Sequence, residues 1–342
     1  MNYPFRNLVF EGGGVKGIGH VGALKYLEEV KILQNIKRFG GTSAGAIIAL
    51  ALGLGYNAKE LESVVRDTKY RAFKDDNWGF IRDNIRLFFD GYGKYKGDFF
   101  THWIEELIES KKFNKNITFK ELFEQTGKEI YFQGTNISTH RIQTFSHKDP
   151  TTATMPISKA VRISMSIPYF FKAVEWNGDY YVDGGILDNY PIDLFDWKSF
   201  VSQEENFTLT ASDEKVNTLL RSITPSNELF FIGENDEIIY NKETLGIRLD
   251  SKEEIAITKH IANPKSHHID HLIVFAWNLT ETMLKAQTSM RLAERDSVRT
   301  IYVDTEFVST FDFNITTEMQ NKLLENGYKA AEEYCKNYRI IQ

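Results

Sequence analysis

Cysteine is all but absent: Cys335 is the only one in 342 residues. No internal disulfide can form, and nothing in the sequence calls for an oxidising compartment. Long apolar runs are missing as well. The longest mostly apolar stretch, residues 45–56, falls well short of the roughly 20 residues that span a bilayer. The opening MNYPFRNLVFEGGG passes from one arginine through a short apolar run into glycines, with no signal core followed by a small-residue cleavage site. Together these absences lead to the expectation of a cytoplasmic protein that meets membranes only peripherally. An excess of positive charge is lacking too. Forty-one basic residues stand against 47 acidic ones, a net charge of −6, which argues against nucleic acid as the main partner. No internal repeat or low-complexity tract interrupts the chain. What is present, 42% hydrophobic and 26% charged residues, is ordinary globular composition at a length that can bury an enzyme-sized core.

Strand-like and helix-like stretches alternate, which predicts an α/β fold. Residues 6–10 and 36–40 read as strands, and 17–30 and 44–54 as helices, the first of these with Ile18, Val21, Leu24 and Leu27 at helical spacing. Asn57 with Glu60, Thr118 with Glu121 and Thr317 with Gln320 are helix-start patterns, the last opening a helix to about Asn337. Further strands are expected at 130–134, 142–145, 273–277 and 301–303, and a helix near 158–166. Asn177-Gly178 within 174–182 signals a tight hairpin. The polar, poorly periodic region 202–241 reads as long loops. Residues 1–200 are expected to form the core of one domain, which 201–342 continue with late strands and a C-terminal helix.

Three short motifs bear on chemistry. Glu11-Gly12-Gly13-Gly14-Val15-Lys16-Gly17 follows an expected strand and opens an expected helix. Gly12, Gly14 and Gly17 fit a dinucleotide fingerprint, but the second strand ends in Lys37-Arg38-Phe39-Gly40, with no acidic residue to hold a ribose hydroxyl. A phosphate-binding P-loop fails because Ile18 stands where lysine would follow the last glycine. A third reading is a nest of backbone amides at a helix N-terminus, which would stabilise the oxyanion of an acyl transfer. Tight strand-to-helix packing would also account for the glycines.

Gly41-Thr42-Ser43-Ala44-Gly45 has the spacing of a nucleophile elbow, a sharp turn that exposes a serine oxygen between strand and helix. The plainer alternative is that Ser43 only caps the helix that follows. Asp183-Gly184-Gly185 closes an apolar strand, and a carboxylate there can approach another backbone closely and serve as a base. The alternative is a turn aspartate bonding to its own backbone.

In this order the three motifs resemble the patatin-like phospholipase family in its bacterial-type form. Gly97-Asp98, the stretch 160–168 and Asp188-Asn189-Tyr190-Pro191 extend the resemblance, which covers about residues 6–200 and more weakly 244–248 and the C-terminal helix. It implies a mostly parallel central sheet flanked by helices, a three-layer α/β/α arrangement. It further implies that Ser43 is the nucleophile, Asp183 its base, and the Gly12, Gly13 and Gly14 amides the oxyanion hole. Lys16, Gly17, Gly41, Gly45, Gly184 and Gly185 support these motifs. Lys16 stands where many members have arginine, keeping the charge without the bidentate fork, and Glu11 where aspartate is also common. The implied chemistry is a serine–aspartate dyad forming an acyl-enzyme, with no metal and no cofactor. The expected substrate is a phospholipid or lysophospholipid at a membrane or micelle surface, with or without an activating partner. The competing expectation is a catalytically silent lipid-binding or interaction module.

Two other features invite chemistry. His260, His267, His268 and His271 follow Asp183 in the Ser…Asp…His order of α/β-hydrolases. His267 and His271 would share a helical face suited to a metal, although a solvated polar loop explains the same residues. His20 reads as structural. Between Arg66 and Lys96, basic residues are interleaved with Phe73, Trp78, Phe80, Phe88, Phe89, Tyr92 and Tyr95. Such a segment suits contact with anionic headgroups, or a helix pair packed over the core.

Overall fold

The computed structural model describes residues 3–74, 92–202, 239–250, 269, 275, 278–280, 282–283, 294–306 and 308–341. Of the strand expected at 273–277 only Phe275 is described, and it is helical rather than extended. The four histidines from 260 to 271, residues 75–91 of the basic aromatic segment and most of 202–241 lie outside the described residues. The described residues form ten strands: β1 (Asn7–Phe10), β2 (Arg38–Thr42), β3 (Gly93–Tyr95), β4 (Glu129–Asn136), β5 (Arg141–Phe145), β6 (Tyr169–Phe171), β7 (Val174–Trp176), β8 (Asp179–Asp183), β9 (Thr244–Asp250) and β10 (Thr300–Asp304). Eight make one sheet in the order β10-β9-β1-β2-β4-β8-β7, with β5 also on β4. The run from β10 to β4 is parallel, and β5, β8 and β7 are antiparallel additions at one edge.

Alternation along the strands assigns the two faces. In β1, Leu8 and Phe10 enter the main core, while Val9 joins Tyr131, Tyr190, Ile192, Phe195, Trp197 and Phe200 on the other side. The first face is covered by α1 (Ile18–Glu29), α2 (Ala44–Gly53) and the long C-terminal helix Thr317–Ile341, the second by the segment 190–200. A Cβ on Gly40 would meet Leu194 Cδ2 at 2.5 Å, and one on Gly246 would strike the Tyr190 hydroxyl, so the covering segment sits directly on the strands. The fold is mixed α/β with a mostly parallel sheet between two covering layers.

Several local expectations are met for physical reasons visible in the bonds. Asn57 and Thr118 both form full capping boxes, with Glu60 and Glu121 returning to the cap backbone. Asn177 and Gly178 turn the β7–β8 hairpin with φ of 53° and 85°, the double left-handed geometry that Asn-Gly favours. The final helix departs by one residue at its start: Thr316 Oγ1 receives the Met319 amide at 3.2 Å, so Thr316 is the cap and Thr317 the first helical residue. The small parallel pair β3–β6 was not anticipated, because three-residue strands carry no readable period. β9 was not anticipated as a strand either, since Arg248 and Asp250 break its apolar pattern. Both are buried there and pair with each other at 2.8 Å.

Candidate active site

The sheet brings Ser43 and Asp183 together through one neighbour, β4. Thr42 at the end of β2 lies opposite Gln133, and Asp183 at the end of β8 lies opposite Gly134. Because β5 occupies the other side of β4 at both Gln133 and Gly134, β8 must take up the edge of β4 where β2 leaves it. The two strands therefore meet end to end. Ser43 turns out of the sheet at the point where Asp183 arrives.

The turn itself is sharp. Ser43 has φ 54° and ψ −124°, a left-handed backbone that a side chain adopts only when its surroundings impose it. They do so by close packing: a Cβ on Gly41 would lie 2.5 Å from the Gly45 carbonyl group, and one on Gly45 would run into the Phe10 carbonyl oxygen. The Ser43 amide donates to Ser164 Oγ at 2.9 Å, and Ser164 donates onward to the Gln133 carbonyl at 2.7 Å, tying the turn to β4. The Ser43 side chain makes no capping hydrogen bond to α2, so the capping alternative does not describe it. Its Oγ donates instead to Met165 Sδ at 3.3 Å.

Asp183 is 1% exposed. Its Oδ1 accepts the Gly185 amide at 2.8 Å, so the turn-aspartate expectation holds for one oxygen. Its Oδ2 is buried and has no hydrogen-bond partner among the described residues. Burial pushes the carboxyl up to about 7, against the lowering effects of the Gly185 amide and the nearby Ser43 hydroxyl. Gly184 is required by proximity, since a Cβ there would strike the Gln133 carbonyl.

The glycine loop lies against the same turn. A Cβ on Gly12 would come within 3.1 Å of Ser43 Cβ, and one on Gly17 within 3.0 Å of Ala44 Cβ. Gly12 departs from the expectation of an oxyanion donor, because its amide is already given to the Asn189 carbonyl at 2.9 Å. The Gly13 and Gly14 amides make no hydrogen bond among the described residues. Gly14 has φ 54°, and a Cβ there would collide with the Thr310 carbonyl. Lys16 closes the loop by donating its amide to the Gly13 carbonyl at 3.1 Å. Glu11, just before the loop, is buried and pushed up to about 8 by loss of water, opposed by the Arg248 charge. His20 Nε2 bonds the Glu11 carbonyl at 2.9 Å, and burial lowers its pKa to about 4, so the ring is a neutral part of the core.

A cavity of about 70 Å³ opens beside these residues, and its lining includes Gly14, Ala44 and Met165 together with the aromatic rings of Tyr70, Phe73 and Trp103. Its lining is almost entirely hydrocarbon, which suits an alkyl chain rather than a polar ligand. Among the described residues no group of three His, Cys, Asp or Glu side chains is placed to hold a metal. No described helix is long and apolar enough to cross a membrane. Sequence reasoning missed the individual contributions of Ser164, Met165 and Asn189. The stretches that contain them looked familial, but nothing in their spacing says that they meet residues 12 and 43.

The comparisons with known proteins bear on the family and the fold. The family model described as patatin-like phospholipase matches residues 8–196, and the chain belongs to that family. The uncharacterized protein R571 of Acanthamoeba polyphaga mimivirus is 30% identical over 332 residues, covering 96% of this chain and 93% of that protein. A protein of invertebrate iridescent virus 6 named probable lipid hydrolase 463L is 32% identical over 195 residues, covering 56% of this chain and 63% of its own length. Among solved structures, VipD from Legionella pneumophila shares the fold with a TM-score of 0.56 at 16% identity, over 98% of this chain and 67% of that one.

Proposed function

We propose that the chain is a serine lipid acyl hydrolase, a carboxylic-ester hydrolase of phospholipase A or lysophospholipase type, working at a membrane or micelle surface. The observation that carries this reading is the pairing of Thr42 and Asp183 with consecutive residues of β4, which sets a strained serine beside an unpartnered buried carboxylate oxygen. Ser43 Oγ rotates from Met165 toward Asp183 Oδ2, gives up its proton there and attacks the ester carbonyl. The Gly13 and Gly14 amides, with the N-terminus of α2, receive the oxyanion. Collapse of the tetrahedral adduct returns the proton to the leaving alcohol and leaves an acyl-enzyme. Asp183 then takes a proton from the attacking water and passes it to Ser43 Oγ as the second tetrahedral adduct collapses, which releases the fatty acid and restores the free serine. A carboxylate held near neutrality is a far better base than one at its ordinary value of 3.8. The apolar cavity takes the acyl chain, and no step is assigned to a metal or cofactor. The catalytic unit runs beyond residue 200, because β9 and β10 extend the same sheet and Leu249 packs on Gly13. Family membership and the lipid-hydrolase name of a relative support the substrate class.

A fluorophosphonate probe tests the assignment. It should label the parent protein at Ser43, and Ser43→Ala should lose labelling and reduce short-chain ester turnover by on the order of 10⁶. Retention of more than a few per cent of turnover by a folded Ser43→Ala protein would remove Ser43 from the role.

A further inference from the structure

Asn189 has no part in the chemistry just described, yet it is bonded to the glycine loop through both its main chain and its side chain. Its carbonyl receives the Gly12 amide at 2.9 Å, and its Nδ2 donates to the Gly12 carbonyl at 3.2 Å. The same Nδ2 reaches Glu11 Oε1 at 3.3 Å, and the other Glu11 oxygen accepts the Leu249 amide at 2.6 Å. Asn189 Oδ1 fills the space where a Gly12 side chain would begin, which accounts for glycine at that position. One residue earlier, the Asp188 carbonyl accepts Thr42 Oγ1 at 2.8 Å, next to Ser43. The segment that leaves Asp183 is thus tied to the elbow and to the loop at once.

The Gly12 carbonyl and the Gly13 amide belong to one planar peptide unit. Whatever fixes the carbonyl fixes the direction of the N–H on the opposite side. With glycine on both sides of this unit, little else resists its rotation. We infer that Asn189 is a positioning residue for the ester hydrolysis proposed above, which holds the Gly12–Gly13 peptide through the Gly12 carbonyl and so aims the Gly13 amide at the site of the oxyanion. The inference rests on the hydrolase reading for its kinetic consequence and on the hydrogen bonds alone for its structural one.

Asn189→Ala removes the side-chain bond and leaves the main-chain bond. Its kcat, per site titrated with fluorophosphonate, should fall by about 10- to 100-fold, somewhat less than the 10²–10³ typical of losing a whole oxyanion donor. KM should stay within about twofold. In the double variant with Gly13→Ala the losses should not multiply, because both act through one amide. Hydrogen exchange at the amides of residues 12–14 should quicken about tenfold or more in Asn189→Ala while the rest of the sheet is unchanged. Unchanged kcat per titrated site, multiplicative losses, or unchanged exchange in the loop would each overturn the inference. Activity lost only in proportion to titratable sites would overturn it too, since that is a folding defect. Asn189→Ser, too short to bridge both acceptors, carries the same readings if the alanine variant does not fold. A parent protein that the probe fails to label ends the hydrolase reading, and the exchange measurement then judges the clamp alone.

Discussion

Replacing Asp183 by asparagine should make the protein inactive and should raise its stability relative to the parent as the pH climbs from 5 to 8. The carboxyl is raised from an ordinary 3.8 to about 7 in the folded protein. Well below pH 3.8 both folded and unfolded chains hold the proton and no penalty exists. Between 3.8 and about 7 the unfolded chain releases the proton while the folded one keeps it, so stability falls by about 1.36 kcal/mol for each pH unit. Above about 7 the folded carboxyl ionises as well and the loss stops growing. Moving from pH 5 to pH 8 crosses roughly two pH units of this window, so Asp183 costs about 3 kcal/mol more at pH 8 than at pH 5. Asparagine does not titrate. Its own packing cost, an amide hydrogen set where Oδ2 had no partner, is the same at both pH values and cancels in the comparison. Glu11, raised to about 8, is present in both proteins and cancels as well. Denaturant unfolding of parent and Asp183→Asn at the two pH values gives four free energies. The asparagine variant's advantage should grow by about 3 kcal/mol from pH 5 to pH 8. A change below about 0.5 kcal/mol would mean that Asp183 carries no raised pKa, and the case for it as a base near neutrality would fall with it.

The same burial sets the pH dependence of turnover: kcat/KM should fall about tenfold per pH unit below roughly 7 and level off above it, as a single base requires. A profile flat down to pH 5 would refute this. Gly13→Ala should fold, because the one close approach of its Cβ is to the movable Leu249 Cδ1 at 2.7 Å, and should turn over about 10²–10³ more slowly. Gly14→Ala should instead melt well below the parent, since φ 54° and the Thr310 carbonyl both oppose a side chain there. Thermal unfolding and turnover on the same preparations separate the two outcomes. Alanine at His260, His267, His268 or His271 should leave most ester hydrolysis, and EDTA should not lower it. One histidine variant falling to the Ser43→Ala level would replace the dyad with a triad.

Much of the scaffold was legible because local chemistry decides it. Capping boxes at Asn57 and Thr118 and the Asn177-Gly178 turn are properties of a few adjacent residues, and all are found as read. The alternation of apolar strands and helices sufficed for an α/β fold, and the sheet covered on both faces came from the family resemblance. Motif order was enough to nominate Ser43, Asp183 and the glycine loop, and the glycines at 41, 45 and 184 are indeed places where no side chain fits. Tertiary structure decided which atoms are free to act. Gly12 could not be told from Gly13 and Gly14 by spacing, because its amide is occupied by the carbonyl of Asn189, which is 177 residues away. Asp183 could not be read as half-bonded, since its free oxygen depends on what packs around β4 and β8. Ser164 and Met165 became neighbours of Ser43 only through the sheet. Local propensity acts between residues close in sequence, whereas burial and hydrogen-bond occupancy are set by long-range strand pairing that no single stretch encodes.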